Sequence, residues 1–216
     1  MRIAADHLQE AGRTAGRPTR AQAPNIRRKI LSAAMGEFSE RGFHGGSIAG
    51  IAERAVVSRR TIYNHFQTKE QILEVLVEDT SSRLRRRLEE IIEEGGEVWE
   101  VLFKIGMCFQ EKELVLDGRA ISRVLVLEAQ QTPEVGQMGL VARQSILEPI
   151  ANYMERQSFQ GILAIDDIGR AAQQFLHLTT SSVDYLFGDD EHSPEEKKQW
   201  VAAAVKTFLY GVAVQR

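Results

Sequence analysis

A single cysteine, Cys108, stands among the 216 residues, so an internal disulfide is impossible and the fold must rest on packing alone. A signal segment and an apolar run long enough to span a bilayer are both missing, and the expectation is a cytoplasmic protein without a membrane partner. The means of an enzyme are missing too. No histidines, cysteines or carboxylates cluster at metal spacing, there is no glycine-rich phosphate loop, and no nucleophile has a plausible neighbouring base. Cys108 falls in an apolar helical stretch where inertness is expected, so no catalytic residue, metal or cofactor is assigned. Strand-like alternation is also absent, which leaves an all-α fold.

Net charge is scarce as well, only -3, and by itself selects no partner. Its distribution is more informative. Residues 1–70 carry twelve Lys and Arg against six Asp and Glu, a balance of +6, so the rest of the chain carries -9. A basic head on an acidic body suits a DNA reader with a regulatory domain, because phosphate contact needs local positive charge. At 43% hydrophobic residues the chain can bury a full core, as one domain of ordinary size or two smaller ones.

The head is organised around residues 57–66, Val-Ser-Arg-Arg-Thr-Ile-Tyr-Asn-His-Phe. Ser58 is an N-cap, and Val57 and Ile62 stand at hydrophobic-staple spacing, so a short helix starts at Arg59. Ile62 and Phe66 face inward, while Arg59, Arg60, Tyr63 and Asn64 share the wet face. Two guanidiniums, a phenol and an amide with no carboxylate match phosphate oxygens and base edges. Any amphipathic helix has a polar face, so the neighbours matter. Ile48, Ile51, Ala52 and Ala55 recur at helical spacing, and the short break at Val56 and Val57 makes the whole a helix-turn-helix.

From Ile26 to Leu73 the run of Phe38, Gly42-Phe43, Ser47-Ile48, Ile51-Ala52, Ala55, Val57-Ser58, Thr61-Ile62-Tyr63, His65-Phe66 and Lys69-Glu70 resembles the N-terminal domain of TetR/AcrR-type transcriptional repressors. The wet face and the resemblance together nominate Arg28, Ser47, Ser58, Arg59, Arg60, Thr61, Tyr63, Asn64, His65 and Lys69 as DNA contacts. Lys69, on the first turn of the next helix, is expected on a phosphate. Two positions depart from the family pattern. Val56 replaces the usual turn glycine, where a β-branched residue predicts a reshaped turn. Gly46 replaces a threonine or serine, leaving Ser47 as the one hydroxyl cap of the second helix.

Residues 1–24 read as a flexible basic arm with Arg13, Arg17 and Arg20, either entering a minor groove, as the AT-hook-like Gly16-Arg17-Pro18 suggests, or remaining a solvated tail. A helix from Asn25 to Arg41 stops at Gly42 and closes the small core of the domain at 25–70. Thr68 and Gln71 form a capping box opening a long helix to about Glu94. On it Arg83, Arg85, Arg86 and Arg87 read as a solvated face paired with Glu89, Glu90, Glu93 and Glu94. Further helices are expected at Val98–Phe109, Leu114–Gln130 and Val141–Phe159, then from an Asp166 cap to Phe187, a loop at Gly188-Asp189-Asp190, and from Ser193-Pro194 to about Tyr210.

The segment from Gly118 to Ala129, with Pro133-Glu134, Asp167, Ala171-Ala172 and Phe175-Leu176, resembles the C-terminal domain of the AefR-like branch of the same family. That resemblance implies a body, residues 71–216, that dimerises and holds a small-molecule effector. Apolar stripes on the last two helices, Ala171, Ala172, Phe175, Leu178 and Thr179, then Val201, Val205, Phe208, Leu209 and Val212, are the candidate homodimer interface. Phe103, Met107, Arg123, Tyr153, Phe175 and His177 are the candidate ligand contacts, with Trp99, Phe109, Met154, Glu128 and Tyr185 as further candidates. The expected function is a repressor that binds a pseudo-palindromic double-stranded DNA operator as a dimer and is released by a small molecule. The rival is a ligand-independent structural or division-linked DNA binder, which would have a filled body.

Overall fold

The computed structural model describes residues 23–180 and 192–212, and among them nine helices and no strand. Residues 1–22 of the basic arm, Tyr185 and the loop at 188–190 lie outside the described residues. The helices are α1 Ala23–Gly45, α2 Ile48–Ala55, α3 Arg59–Tyr63, α4 Lys69–Glu94, α5 Val98–Cys108, α6 Lys112–Glu128, α7 Pro133–Phe159, α8 Ile168–Thr179 and α9 Pro194–Val212.

Local chemistry accounts for most of these boundaries. Gly42, at φ 69° and ψ 174°, breaks α1 where the sequence predicts a stop. The Ser47, Ser58 and Thr68 side chains accept from the Gly50, Thr61 and Gln71 amides, so α2, α3 and α4 begin at hydroxyl caps. Ser193 opens α9 with a full capping box: its amide donates to Glu196 Oε2 at 2.7 Å, and its Oγ accepts from the Glu196 amide at 3.3 Å.

Three boundaries differ from the sequence reading. Helix α7 starts at Pro133, not Val141, because a proline after a threonine is a first helical residue rather than a break. The cap of α8 is Asp167, not Asp166: its Oδ1 accepts from the Arg170 amide at 2.9 Å. Thr180, already extended at φ -110° and ψ 117°, closes α8 well before Phe187.

Two cores form. In the head, Ile30, Ala34 and Phe38 of α1 pack on Ile51, Ile62 and Phe66, and the same cluster takes Ile72, Leu73, Leu76 and Val77 from α4, Ile121 and Val124 from α6, and Val135 from α7. In the body, Leu88 and Ile91 of α4 pack with residues of α5, α7, α8 and α9. Helix α4, 26 residues and about 39 Å long, therefore runs from one core into the other. The first two turns of α4, beyond residue 70, bury their apolar side in the head.

The apolar stripes expected to make the dimer are used inside the chain. Ala171, Ala172, Phe175, Thr179, Val201, Val205 and Phe208 are all buried in the body core, with Phe175 and Phe208 edge to face at 5.2 Å. The reason is close helix packing: a Cβ on Gly106 of α5 would lie 2.5 Å from Val201 Cγ1, so α5 and α9 meet at backbone range. Leu178 and Leu209 are partly buried against the same core.

Candidate nucleic-acid interface and the cavity behind it

Helix α3 presents the face that its spacing predicts. Ile62 and Phe66 are buried, and Arg59, Arg60, Tyr63 and Asn64 are exposed, Tyr63 at 55%. No described carboxylate lies within ion-pairing distance of Arg59 or Arg60, so both charges are presented to solvent. Thr61 and His65 flank this face half-buried, Ser47 and Ser58 are exposed but occupied as caps, and Ser58 Oγ also lies 2.8 Å from Thr61 Oγ1. Arg28 is exposed on α1, next to Arg27, whose guanidinium lies over the Phe66 ring at 4.8 Å.

The turn between α2 and α3 keeps the left-handed geometry that a glycine would adopt. Val56 sits at φ 54° and ψ 48°, 89% exposed, and its amide and that of Val57 close α2 on Glu53 and Ala52 carbonyls. The reshaping expected of a β-branched residue does not occur, so the strain stays in the backbone. The Gly46 departure has a steric cause: a Cβ there would meet Phe38 Cδ1 at 2.9 Å.

A buried carboxylate fixes α2 on α1. Glu37, 1% exposed, accepts the Ser47 amide on Oε1 at 3.3 Å and Arg54 Nε on Oε2 at 3.0 Å. Arg54 also pairs with Glu40, and that bond holds the Glu40 carboxyl below its usual range. Gly50 makes room, since a Cβ there would sit 2.1 Å from Glu37 Oε1. The sequence reading missed this network, although a glycine inside a short helical pattern is a signal of close approach.

Lys69 is committed to the protein. Its ammonium donates to the Phe43 carbonyl at 2.6 Å and the Gly46 carbonyl at 3.1 Å, and lies 4.4 Å from the Phe43 ring centre. One N–H of the three remains beyond these two acceptors. On the other side of the same corner, Glu128 at the end of α6 accepts the Phe43 amide on Oε1 at 3.1 Å and the His44 amide at 3.4 Å, with His44 Nε2 3.2 Å from Oε2. Glu128 was a candidate for the ligand site; it instead reaches the head.

Behind the head, a cavity of about 410 Å³ opens among α4, α6, α7 and α8, within the range of about 300–1,000 Å³ usual for small-molecule sites. Of the six expected ligand contacts it brings in His177. Phe175 and Tyr153 are buried in the body core instead, Phe103 stacks on Trp99 at 5.0 Å, Met107 packs on the core edge, and Arg123 is exposed away from the lining. Val77 and Ile121 belong both to the lining and to the head core. Among the described residues no three His, Cys, Asp or Glu are placed to hold a metal, and no helix is long and apolar enough to cross a membrane.

A helix-turn-helix head with an uncompensated cationic face, joined through shared helices to a hollow helical body, defines a DNA-binding regulator. Residues 30–76 match the tetR family of bacterial regulatory proteins, and residues 100–211 match the C-terminal domain of AefR-like transcriptional repressors. The chain belongs to the TetR family of transcriptional regulators, in its AefR-like branch. It is 28% identical over 145 residues to the HTH-type transcriptional regulator UidR of Escherichia coli (strain K12), covering 67% of this chain and 72% of that one. Among solved structures it is similar to a TetR family transcriptional regulator from Pseudomonas syringae pv. tomato, with a TM-score of 0.66 and 27% identity, covering 88% of this chain and 97% of the other. A TetR-family regulator from Mesorhizobium loti superposes with a TM-score of 0.74 at 22% identity over 91% of this chain and all of that one.

Proposed function

We propose that the chain is a dimeric repressor whose two α3 helices read the half-sites of a pseudo-palindromic operator, and that a small molecule in the cavity releases it. The observation that carries DNA reading is the exposed set Arg59, Arg60, Tyr63 and Asn64, held in place by the buried Ile62 and Phe66. Arg28, Ser47, Ser58, Thr61 and His65 would border the groove, and the remaining N–H of Lys69 would reach a phosphate. Two heads about 34–36 Å apart would enter successive major grooves.

The cavity favours this over a ligand-independent binder, which has no use for a hollow body. Release has a structural route. Val77 of α4 and Ile121 of α6 touch both the cavity and the head core, and Glu128 ends α6 on the last turn of α1. A ligand that prefers one packing of α4 and α6 shifts the head by that preference, typically about 1–3 kcal/mol. Selection of bound DNA from a random pool tests the reading: an inverted repeat is expected, and Arg60→Ala or Tyr63→Ala should abolish its enrichment while the dimer persists. Enrichment without symmetry, or unchanged in both variants, would sink it.

A further inference from the structure

We infer that the cavity takes an amphipathic anion, an apolar body enclosed by the helices with one carboxylate held at the mouth by Arg143. This rests on the small-molecule reading above and names the chemistry of that ligand. The walls are mainly aliphatic, with Val77, Leu84, Ile121, Leu125 and Ile146 among them, and no Asp or Glu stands among the described lining residues. Among the described lining residues the one fixed charge is the Arg143 guanidinium. Its described partner is His177, with Nη2 2.9 Å from Nε2; a guanidinium only donates, so the imidazole accepts and supplies no negative charge. No described carboxylate pairs with Arg143.

An uncompensated cation beside an apolar wall attracts an anion more strongly than the same group in open water. It repels a cationic head and leaves a neutral one with no charge to answer. Leu140, one turn before Arg143 on α7, is exposed and lines the cavity too, so the opening lies next to the guanidinium. Thr80 Oγ1 lines the same space, buried with no partner among the described residues, and can bond a second ligand oxygen.

The test uses the full chain with decanoate, decan-1-ol and decyltrimethylammonium, each below micelle formation, in calorimetric titrations. Decanoate is expected to bind about tenfold more tightly than decanol, the gain from one exposed charge-assisted hydrogen bond. Arg143→Met should lower decanoate to the level of decanol and leave decanol binding unchanged, which also shows that the cavity is intact. Equal binding of the three probes, or a decanoate preference that survives Arg143→Met, overturns the anion assignment while keeping the cavity as a ligand site. Binding of none of them overturns the small-molecule reading together with this one.

Discussion

Glu128 Oε1 accepts the backbone amide of Phe43 at 3.1 Å, joining the last residue of α6 to the residue after the Gly42 break in α1 across 85 positions of chain. The contact is buried, so deleting the carboxylate leaves the Phe43 amide without a partner and costs about 1–3 kcal/mol. Glu128→Ala is expected to lose that much in chemical denaturation. Glu128→Gln, which keeps an acceptor oxygen, should lose less than half of it. If α6 carries the ligand signal, the alanine variant should also bind operator with weakened dependence on ligand, measured as the ratio of affinities with and without it.

Lys69 grips the opposite side of Phe43, through the carbonyls of Phe43 and Gly46. Lys69→Met retains the apolar stem over the ring but drops both bonds. The expected result has two parts: a stability loss of about 1–3 kcal/mol from the abandoned carbonyls, and a slope of log affinity against log salt flatter by about one unit. A stability loss with the slope unchanged would make the residue purely a scaffold.

How much of this was legible follows from the range of each interaction. The reading face of α3, its Ser58 cap and the length of α4 depend on residues at most a few turns apart, and periodicity displays them. The Glu128 and Lys69 contacts join residues 85 and 26 positions apart, which no spacing rule reaches. Five of the six candidate ligand contacts lie outside the cavity lining for a related reason. Tyr153 and Phe175 are apolar enough for either a wall or a core, and only the packing of α5, α7, α8 and α9 decides for the core. The stripes on α8 and α9 were correctly apolar but could not say whether they meet their own body or a second copy.

Val56 holds a left-handed backbone that a β-branched side chain adopts at a cost of about 1–3 kcal/mol, with its side chain almost fully in solvent. Val56→Gly removes that strain and loses no packing, though the unfolded chain gains about 0.4–1 kcal/mol of freedom. A net stabilisation of about 1 kcal/mol is expected, seen as a melting point higher by about 2–4 °C. Unchanged or lowered stability would mean that the turn is not strained.

Cys108 is fully buried in α5, and burial, reinforced by the nearby Glu111 carboxylate, pushes its thiol up to about 12. At pH 8 the folded protein should therefore resist a thiolate-specific reagent such as a disulfide chromophore, while the denatured chain reacts at once. The linkage has a fixed sign. The unfolded thiol ionises near 9.0 and the folded one does not, so this group's contribution to stability is complete below pH 9 and declines as pH rises toward 12. Rapid labelling of the native protein at pH 8 would show that α5 opens readily.

Because the inner sides of α8 and α9 are buried within one chain, a dimer through these helices must use what they leave outside. On α9, Trp200, Ala203, Thr207 and Tyr210 are exposed at spacings of three, four and three, a single stripe, with Trp200 52% and Tyr210 76% accessible. Aromatic residues at such exposure suit an interface better than a free surface. Trp200→Glu combined with Tyr210→Glu places two charges on that stripe without touching either core, so helicity and melting of the single chain should hold. Sedimentation is expected to shift from dimer to monomer at micromolar concentration, and binding to a two-half-site operator should fall with it while the heads stay folded. A variant that still sediments as a dimer would move the interface elsewhere, to the exposed apolar residues Leu127 and Val141 of α6 and α7.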